Sequence, residues 1–367
     1  MQERTYCSAM VFEQFAAAAG KSFPHSDEWL VGVPEFLRKL ANRIDLRRLI
    51  RVSVGGPGPW TLDLGEGRRL PYQLEGTGCV KFIALPNSYR DLDFATDYYS
   101  ERARMASRRN NTESPAEAYR DPDTRMNLLQ LAYRNYALKN PETVPRRCTE
   151  SNEIMARFFV RQAIYQTLKE CGNFKVSFAA QIYTFFGATA VLDPFAGWGD
   201  RAIAAALVPT VRRYLGVDCN PDLVEPYRRI RETFDGVEFR VPERFEDARV
   251  QIPYGFDLVL ASPPFYDLEL YGSGPTAQTQ FPEVNDWVDQ WLVPCLLKAI
   301  GALVTGGYLV LYLCDTQRYA GKRYVGRCHD ELLLSCGRLL QFLGVVATLR
   351  EKDSSRVMPL LVYRKIL

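Results

Sequence analysis

The sequence predicts an α/β fold: a mostly parallel, seven-stranded sheet that finishes in an antiparallel hairpin, preceded by an α+β accessory region. Three observations predict it. From about residue 176, short apolar runs alternate with helical patterns. Apolar runs of about four to eight residues separated by helices mark a parallel sheet covered on both faces. The last two runs are joined only by "EKDSSR" (351–356), too short for a helical crossover, so those strands must be antiparallel neighbours.

The elements follow in order. Residues 10–50 read as helical, with apolar positions of "EWLVGVPEFLRKLANRI" at three-and-four spacing. "GGPGP" (55–59) breaks the chain, and the alternating segments "WTLDL" and "CVKFIAL" read as strands. The stretch 101–125, "ERARMASRRNNTESPAEAYRDPDTR", is polar, basic and poor in large aliphatics, and is expected as a solvated loop or a surface that faces nucleic acid. Helical patterns return at 126–139 and 151–172. Strands are then expected at 190–193, 213–217, 237–241, 256–261, 307–313, 345–350 and 357–364, with helices at 200–207, 220–234, 284–304 and 326–342. This divides the chain into an accessory region, 1–125, a candidate for nucleic-acid recognition; a helical connection, 126–175, packing on the catalytic part; and a catalytic domain, 176–367.

Composition narrows the class. Hydrophobic residues make up 47% and charged residues 24%, ordinary for a globular chain of 367 residues. No stretch approaches the roughly 18 uninterrupted apolar residues of a membrane span, and acids interrupt the apolar segment of the N-terminus. An intracellular protein of nucleus or cytoplasm, with no membrane partner, is therefore expected. The nine cysteines form no CxxC pair and there are only two histidines, His25 and His329, so no metal site is expected; Cys328 and His329 read as helix neighbours. Only ten of the 46 basic residues are lysine. Arginine forks onto phosphate and stacks on bases, so Arg102, Arg104, Arg108, Arg109, Arg146 and Arg147 are candidate phosphate contacts or solubilising charges.

Two turns carry the chemistry. "VLDPFAGWGDR" (191–201) ends a buried strand on Asp193 and turns through Gly197 and Gly199 into a helix. Glycines there let backbone approach a ligand closely. The turn lacks the third glycine of a dinucleotide fingerprint and the lysine of a P-loop. Asp218 ends the next strand in "YLGVDCN", where a carboxylate would accept both hydroxyls of a ribose. Glu246 and Asp247, after the third strand, are both placed to accept from the exocyclic amine of an adenine. In an open α/β sheet this carboxyl edge is where ligands bind.

The second turn is Ser262-Pro263-Pro264-Phe265, after the fourth strand, "FDLVLA". Two prolines fix two φ angles and remove two N–H donors. The carbonyls of Ser262 and Pro263 are then aimed at the cleft, where a side-chain oxygen and a carbonyl hold both hydrogens of a planar amine. Phe265 offers a face for a ring.

Together, "DPFAGWGDR", "YLGVD" and "SPPFYDLELY" resemble the amino-methyltransferases of nucleic acids, most closely a subgroup of large DNA viruses, phages and some protists, over roughly 176–365. The resemblance implies a Rossmann-like class I methyltransferase using S-adenosyl-L-methionine, without metal, to methylate adenine N6, cytosine N4 or, in some RNA enzymes, guanine N2. It implies that Asp193, Phe195, Ala196, Gly197 and Gly199 line the donor site, that Asp218 holds its ribose, and that Ser262 to Phe265 hold the target amine. Serine at the first position is frequent in cytosine N4 enzymes, aspartate or asparagine in adenine enzymes. Adenine N6 is taken first and cytosine N4 second. RNA is preferred to DNA, because the usual recognition insertion of bacterial DNA enzymes is missing. Target choice then falls to residues 1–175, to the loop 271–286 or to a partner subunit. A methyltransferase for a protein amide or small molecule, and a non-catalytic subunit that keeps the fold, are the alternatives.

Several other residues stay open. Asp267, Glu269 and Tyr271 either position substrate or hold the loop. Trp287 and Trp291, four apart on a helix, read as core in preference to base stackers. Trp198 is expected to touch donor or loop, without full burial in its turn.

Overall fold

The computed structural model describes residues 10–28, 32–43, 51–56, 61–83, 92, 95–109, 112–138, 151–266, 268–271, 276–316, 322–350 and 353–367. They form two compact units, one of residues 1–33 with 97–172, the other of 34–96 with 173–367. These bounds differ from the expected 1–125, 126–175 and 176–367. The reason is strand pairing: residues 51–83 contribute strands to the same sheet as the C-terminal half.

The first unit is helical. Helix Phe12–Ala19 lies with Pro122–Ala137 and Asn152–Thr167 around a core of Phe15, Tyr119, Leu128, Tyr136, Phe159 and Ile164. Asp121 accepts the Thr124 N–H at 2.7 Å and Ser151 the Ile154 N–H at 3.1 Å, so each of the two longer helices starts on a side-chain cap. The expected loop at 101–125 is largely helix instead: Asp97–Ala106, Pro115–Ala118 and the start of Pro122–Ala137. Its charges are internal. Arg104 is buried against Asp97 (2.5 Å) and Glu170 (2.8 Å), while Arg161 joins Glu101 (2.7 Å) and Glu170. Buried charges survive when paired, so a polar composition here encodes a buried network.

The second unit holds strands β1 (Arg51–Gly55), β2 (Thr61–Gly65), β3 (Arg68–Pro71), β4 (Cys79–Ile83), β5 (Ala190–Asp193), β6 (Arg213–Val217), β7 (Val237–Arg240), β8 (Phe256–Ala261), β9 (Leu303–Tyr312), β10 (Leu340–Arg350) and β11 (Asp353–Lys365). β2 and β3 pair separately as a hairpin. The other nine make one sheet in the order β1-β4-β10-β11-β9-β8-β5-β6-β7. Numbered from β5 to β11 as one to seven, the last seven of these read 3-2-1-4-5-7-6 from the β7 edge, the class I methyltransferase order. β5 to β9 run parallel, and β11 is antiparallel to both β9 and β10, as expected. The sheet has nine strands, not seven, because β4 pairs parallel with β10 (Phe82 opposite Thr348) and β1 antiparallel with β4.

Local boundaries shift where glycine or packing intervenes. The expected helix at 326–342 ends at Cys336, before Gly337 at φ +51°, and β10 begins at Leu340. The expected helix at 284–304 consists of the turn Val284–Asp286, a π-helical turn Trp287–Leu292 and helix Val293–Ala302. The closing hairpin is tighter than six residues, with Arg350 opposite Asp353. Among the described residues, no helix is long and apolar enough to cross a membrane.

Candidate active site

β5 and β8 are parallel neighbours, with Val191 opposite Leu258 and Leu192 opposite Val259. All four side chains are fully buried, which fixes the register of both strands. The chain direction reverses its spread across the sheet at this pair, so the turn after Asp193 and the turn after Ala261 open at one switch point. β6 lies on the far side of β5, Asp193 opposite Gly216, and places Asp218 on the same edge.

The first turn is braced from below. Asp193 is fully buried and takes Arg201 Nε at 2.6 Å, the Tyr214 hydroxyl at 2.6 Å and the Phe195 N–H at 3.2 Å. Arg201 also donates to the Phe195 carbonyl and lies over the Phe174 ring at 5.2 Å. The oxygens of Asp193 are thus occupied by the turn it shapes. Ala196 is buried too, its N–H bonded to the Val217 carbonyl at 2.9 Å. Phe195 is half-buried and packs on Trp291 at 5.4 Å, part of the core beneath the turn.

The two glycines differ. Gly197 (φ +58°) donates its N–H to Asp218 Oδ2 at 2.8 Å, and a Cβ there would come no nearer than 3.7 Å to its neighbours. Gly199 (φ +94°) faces Ile230, whose Cδ1 would lie 2.6 Å from a Cβ. A side chain at Gly199 would therefore meet both a left-handed backbone and the end of the Ile230 side chain.

Asp218 is half-buried and also accepts the Asn220 N–H at Oδ1, 2.9 Å. Burial raises its pKa to about 6, against the lowering pull of these two N–H groups. Each oxygen keeps a lone pair for a further donor. Asp247 differs: hydrogen bonds from the side chain and N–H of Arg249 bring its pKa down to about 2. Glu246 meets only a longer Arg244 contact, 3.5 Å.

In the second turn, Ser262, Pro264 and Phe265 are half-buried and Pro263 is buried. Among the described residues, none hydrogen-bonds to the Ser262 hydroxyl or to the carbonyls of Ser262 and Pro263. Phe265 stands edge-on to Tyr312 at 5.5 Å, and Tyr312 edge-on to Phe174 at 5.7 Å. Past the turn, Glu269 is buried and accepts from the Tyr271 hydroxyl. Tyr271 covers Trp198 edge-on at 5.6 Å, which is why Trp198 is only 6% exposed, against the expectation of an incompletely buried ring. Trp287 and Trp291 are core residues, as expected. Asp267 and most of the loop 271–286 before Thr276 lie outside the described residues, as do Arg146 and Arg147. Arg102 pairs with Asp27 and Arg104 is buried, whereas Arg108 is exposed and has no ion pair among the described residues.

Sequence reasoning missed Arg201, Tyr214 and Tyr227, whose hydroxyl donates to the Gly197 carbonyl while its ring stacks on Phe239 at 3.8 Å. Arg201 carried a signal. A cation in the first turn of a helix opposes the dipole, so it needs a carboxylate nearby.

No protein-family model and no curated protein matches this chain. Among solved structures it is similar to the N-methyltransferase NodS from Bradyrhizobium japonicum, at 14% identity and a TM-score of 0.34, over 51% of this chain and 94% of that one. It is also similar to TrmN from Thermus thermophilus, at 15% identity and a TM-score of 0.38, over 65% and 78% of the two chains. An rRNA methylase from Streptococcus thermophilus gives 13% identity and a TM-score of 0.31, over 51% and 95%. The fold assignment rests on the strand order, to which scores this low add no weight.

Proposed function

We propose that the protein is an S-adenosyl-L-methionine-dependent methyltransferase acting on an exocyclic amine of a nucleic-acid base, adenine N6 before cytosine N4 and RNA before DNA. One observation carries the reading. A carboxylate with two free lone pairs and a turn whose three oxygens have no partner among the described residues follow the strands that flank β5, on one edge of a 3-2-1-4-5-7-6 sheet. The first suits a ribose, the second an –NH2 group.

The residues present fit the donor. Asp218 would accept the ribose hydroxyls, and Gly197 leaves room beside it. Glu246 would take the adenine amine, since Arg249 occupies Asp247. Bound S-adenosyl-L-methionine would supply an electrophilic methyl group on a sulfonium. The chain's own part is placement. Ser262 Oγ and the Pro263 carbonyl would hold the two amine hydrogens, which draws the nitrogen toward tetrahedral geometry and frees its lone pair. Phe265 would stack on the base, and holding the amine in line is a substantial share of catalysis. In a duplex the base would have to flip out of the stack.

The experiment is methyl transfer from labelled donor to RNA, DNA and protein, with nucleic-acid products digested to nucleosides and identified by mass. N6-methyladenosine is expected; N4-methylcytidine would move the base to the second choice. Methyl on ribose oxygen, ring carbon or protein would overturn the reading. Ser262→Ala and Phe265→Ala should keep donor binding and lose most transfer, the latter with a stacking loss of about 1–3 kcal/mol.

A further inference from the structure

The amine-holding turn has little backbone to anchor it. Pro263 and Pro264 have no N–H; the Phe265 carbonyl accepts from Leu268 N–H at 3.2 Å and Gln278 at 3.4 Å, and the next N–H, that of Tyr266, reaches across to another strand's end. There the Tyr324 phenol bridges two backbone groups. The Tyr266 N–H donates to the Tyr324 hydroxyl at 3.3 Å, and that hydroxyl donates to the Cys314 carbonyl at 2.6 Å. Cys314 lies just past β9, the strand beside β8, with Leu311 opposite Ala261. The exit of one turn is thus tied to the end of the neighbouring strand.

Tyr324 is itself fixed. Asp315 Oδ1 accepts both the Tyr324 and the Val325 N–H, at 2.8 and 2.9 Å, at the head of helix Val325–Cys336. Its ring stands edge-on to Trp287 at 5.3 Å and is 1% exposed. Burial raises its pKa, so the phenol keeps its proton for Cys314. Packing alone would be served as well by phenylalanine. The hydroxyl does something packing does not need.

We propose that Tyr324 is a positioning residue that clamps the Ser262–Phe265 turn onto the end of β9 and so sets where the target amine sits. The inference rests on the function proposed above. Removing the hydroxyl breaks the bridge between the Tyr266 N–H and the Cys314 carbonyl, so the exit of the turn loses its tie to the end of β9. Ångström-scale misplacement of a reacting group lowers turnover far more than binding.

The test compares wild type, Tyr324→Phe and Leu332→Ala, the last a cavity further along the helix that Tyr324 precedes. A single-stranded RNA containing all four bases is the acceptor, assayed well below every melting temperature. For Tyr324→Phe, kcat should fall about tenfold or more, with acceptor KM and S-adenosyl-L-homocysteine affinity within about threefold. The Tyr266 amide should exchange faster with deuterium, and the amides of 195–199 should not. Leu332→Ala should melt earlier and keep kcat. Unchanged kcat in Tyr324→Phe, or parallel losses in both variants, would overturn the clamp. A wild type inert on RNA, DNA and protein would overturn the function instead. Exchange at Tyr266 then decides the clamp alone: faster exchange in Tyr324→Phe supports it and unchanged exchange refutes it.

Discussion

The Gly197 N–H donates to Asp218 Oδ2 at 2.8 Å, so the turn after β5 and the carboxylate after β6 are built against each other. Removing the carboxylate therefore costs the turn an anchor as well as the ligand an acceptor. Asp218→Ala should weaken S-adenosyl-L-methionine binding by about 1–3 kcal/mol in calorimetry. Wild-type affinity in the mutant would refute the ribose assignment.

The same residue gives a pH signature. Its pKa is raised from 3.8 to about 6 by burial, so the folded state holds a proton that the unfolded state has released. Its contribution to stability is present below about pH 4 and is lost as pH rises through 6. Donor binding runs the other way, because the ribose hydroxyls need the ionised form. Affinity should drop as pH falls through 6, and Asp218→Asn should flatten that profile.

Arg201→Ala should unfold the protein far earlier. It strands the fully buried Asp193 carboxylate with one phenol and one N–H, and breaking such a pair typically costs about 3–5 kcal/mol. Tyr214→Phe removes one donor from the same carboxylate and should cost less, about 1–3 kcal/mol. Thermal melts that rank the two in the opposite order would show that the brace is misassigned.

Gly199→Ala should destabilise through two separable effects. Left-handed backbone costs an L-residue about 1–2 kcal/mol, and the new methyl group would strike Ile230. In an Ile230→Ala background only the first remains, so a double-mutant cycle in urea should show positive coupling. Additive losses would mean the contact is relieved some other way.

Arg104→Ala should lower the melting temperature without changing how RNA affinity depends on salt, because the side chain is already paired inside its own unit. Arg108→Ala should do the reverse, with a shallower salt slope and little loss of stability. A shallower salt slope for Arg104→Ala would show that the residue leaves its pairs to bind polymer.

Strands β5 and β8 were readable because they are short and dry. "VLD" and "FDLVLA" are apolar on both faces and end at an acid or at prolines, which leaves little freedom in assigning them. Both turns were readable from covalent geometry, since glycine permits the positive φ that other residues avoid and proline fixes φ. What escaped were pairings between distant residues. Nothing local in "CVKFI" announces Thr348 as the partner of Phe82, and nothing near Arg104 announces Glu170. The segment 101–125 was misread because buried and solvated charges share one composition. Asp97, Glu101 and Arg104 do recur at helical spacing, a periodicity that polar content obscured.

The pairing of β4 with β10 sets an order of events in assembly. Gln341 at the start of β10 donates to Glu75, 266 residues earlier, so the two strands meet only after everything between them has been made. Contacts of such long range slow folding, because closing the intervening loop is costly before any contact rewards it. On a ribosome, β4 emerges well before β10 and must wait with one edge open until β10 arrives. A fragment beginning at 176 reverses the problem: its β10 keeps that edge exposed permanently, and exposed edges recruit other chains. Such a fragment should aggregate on refolding unless a peptide spanning 51–83 is supplied.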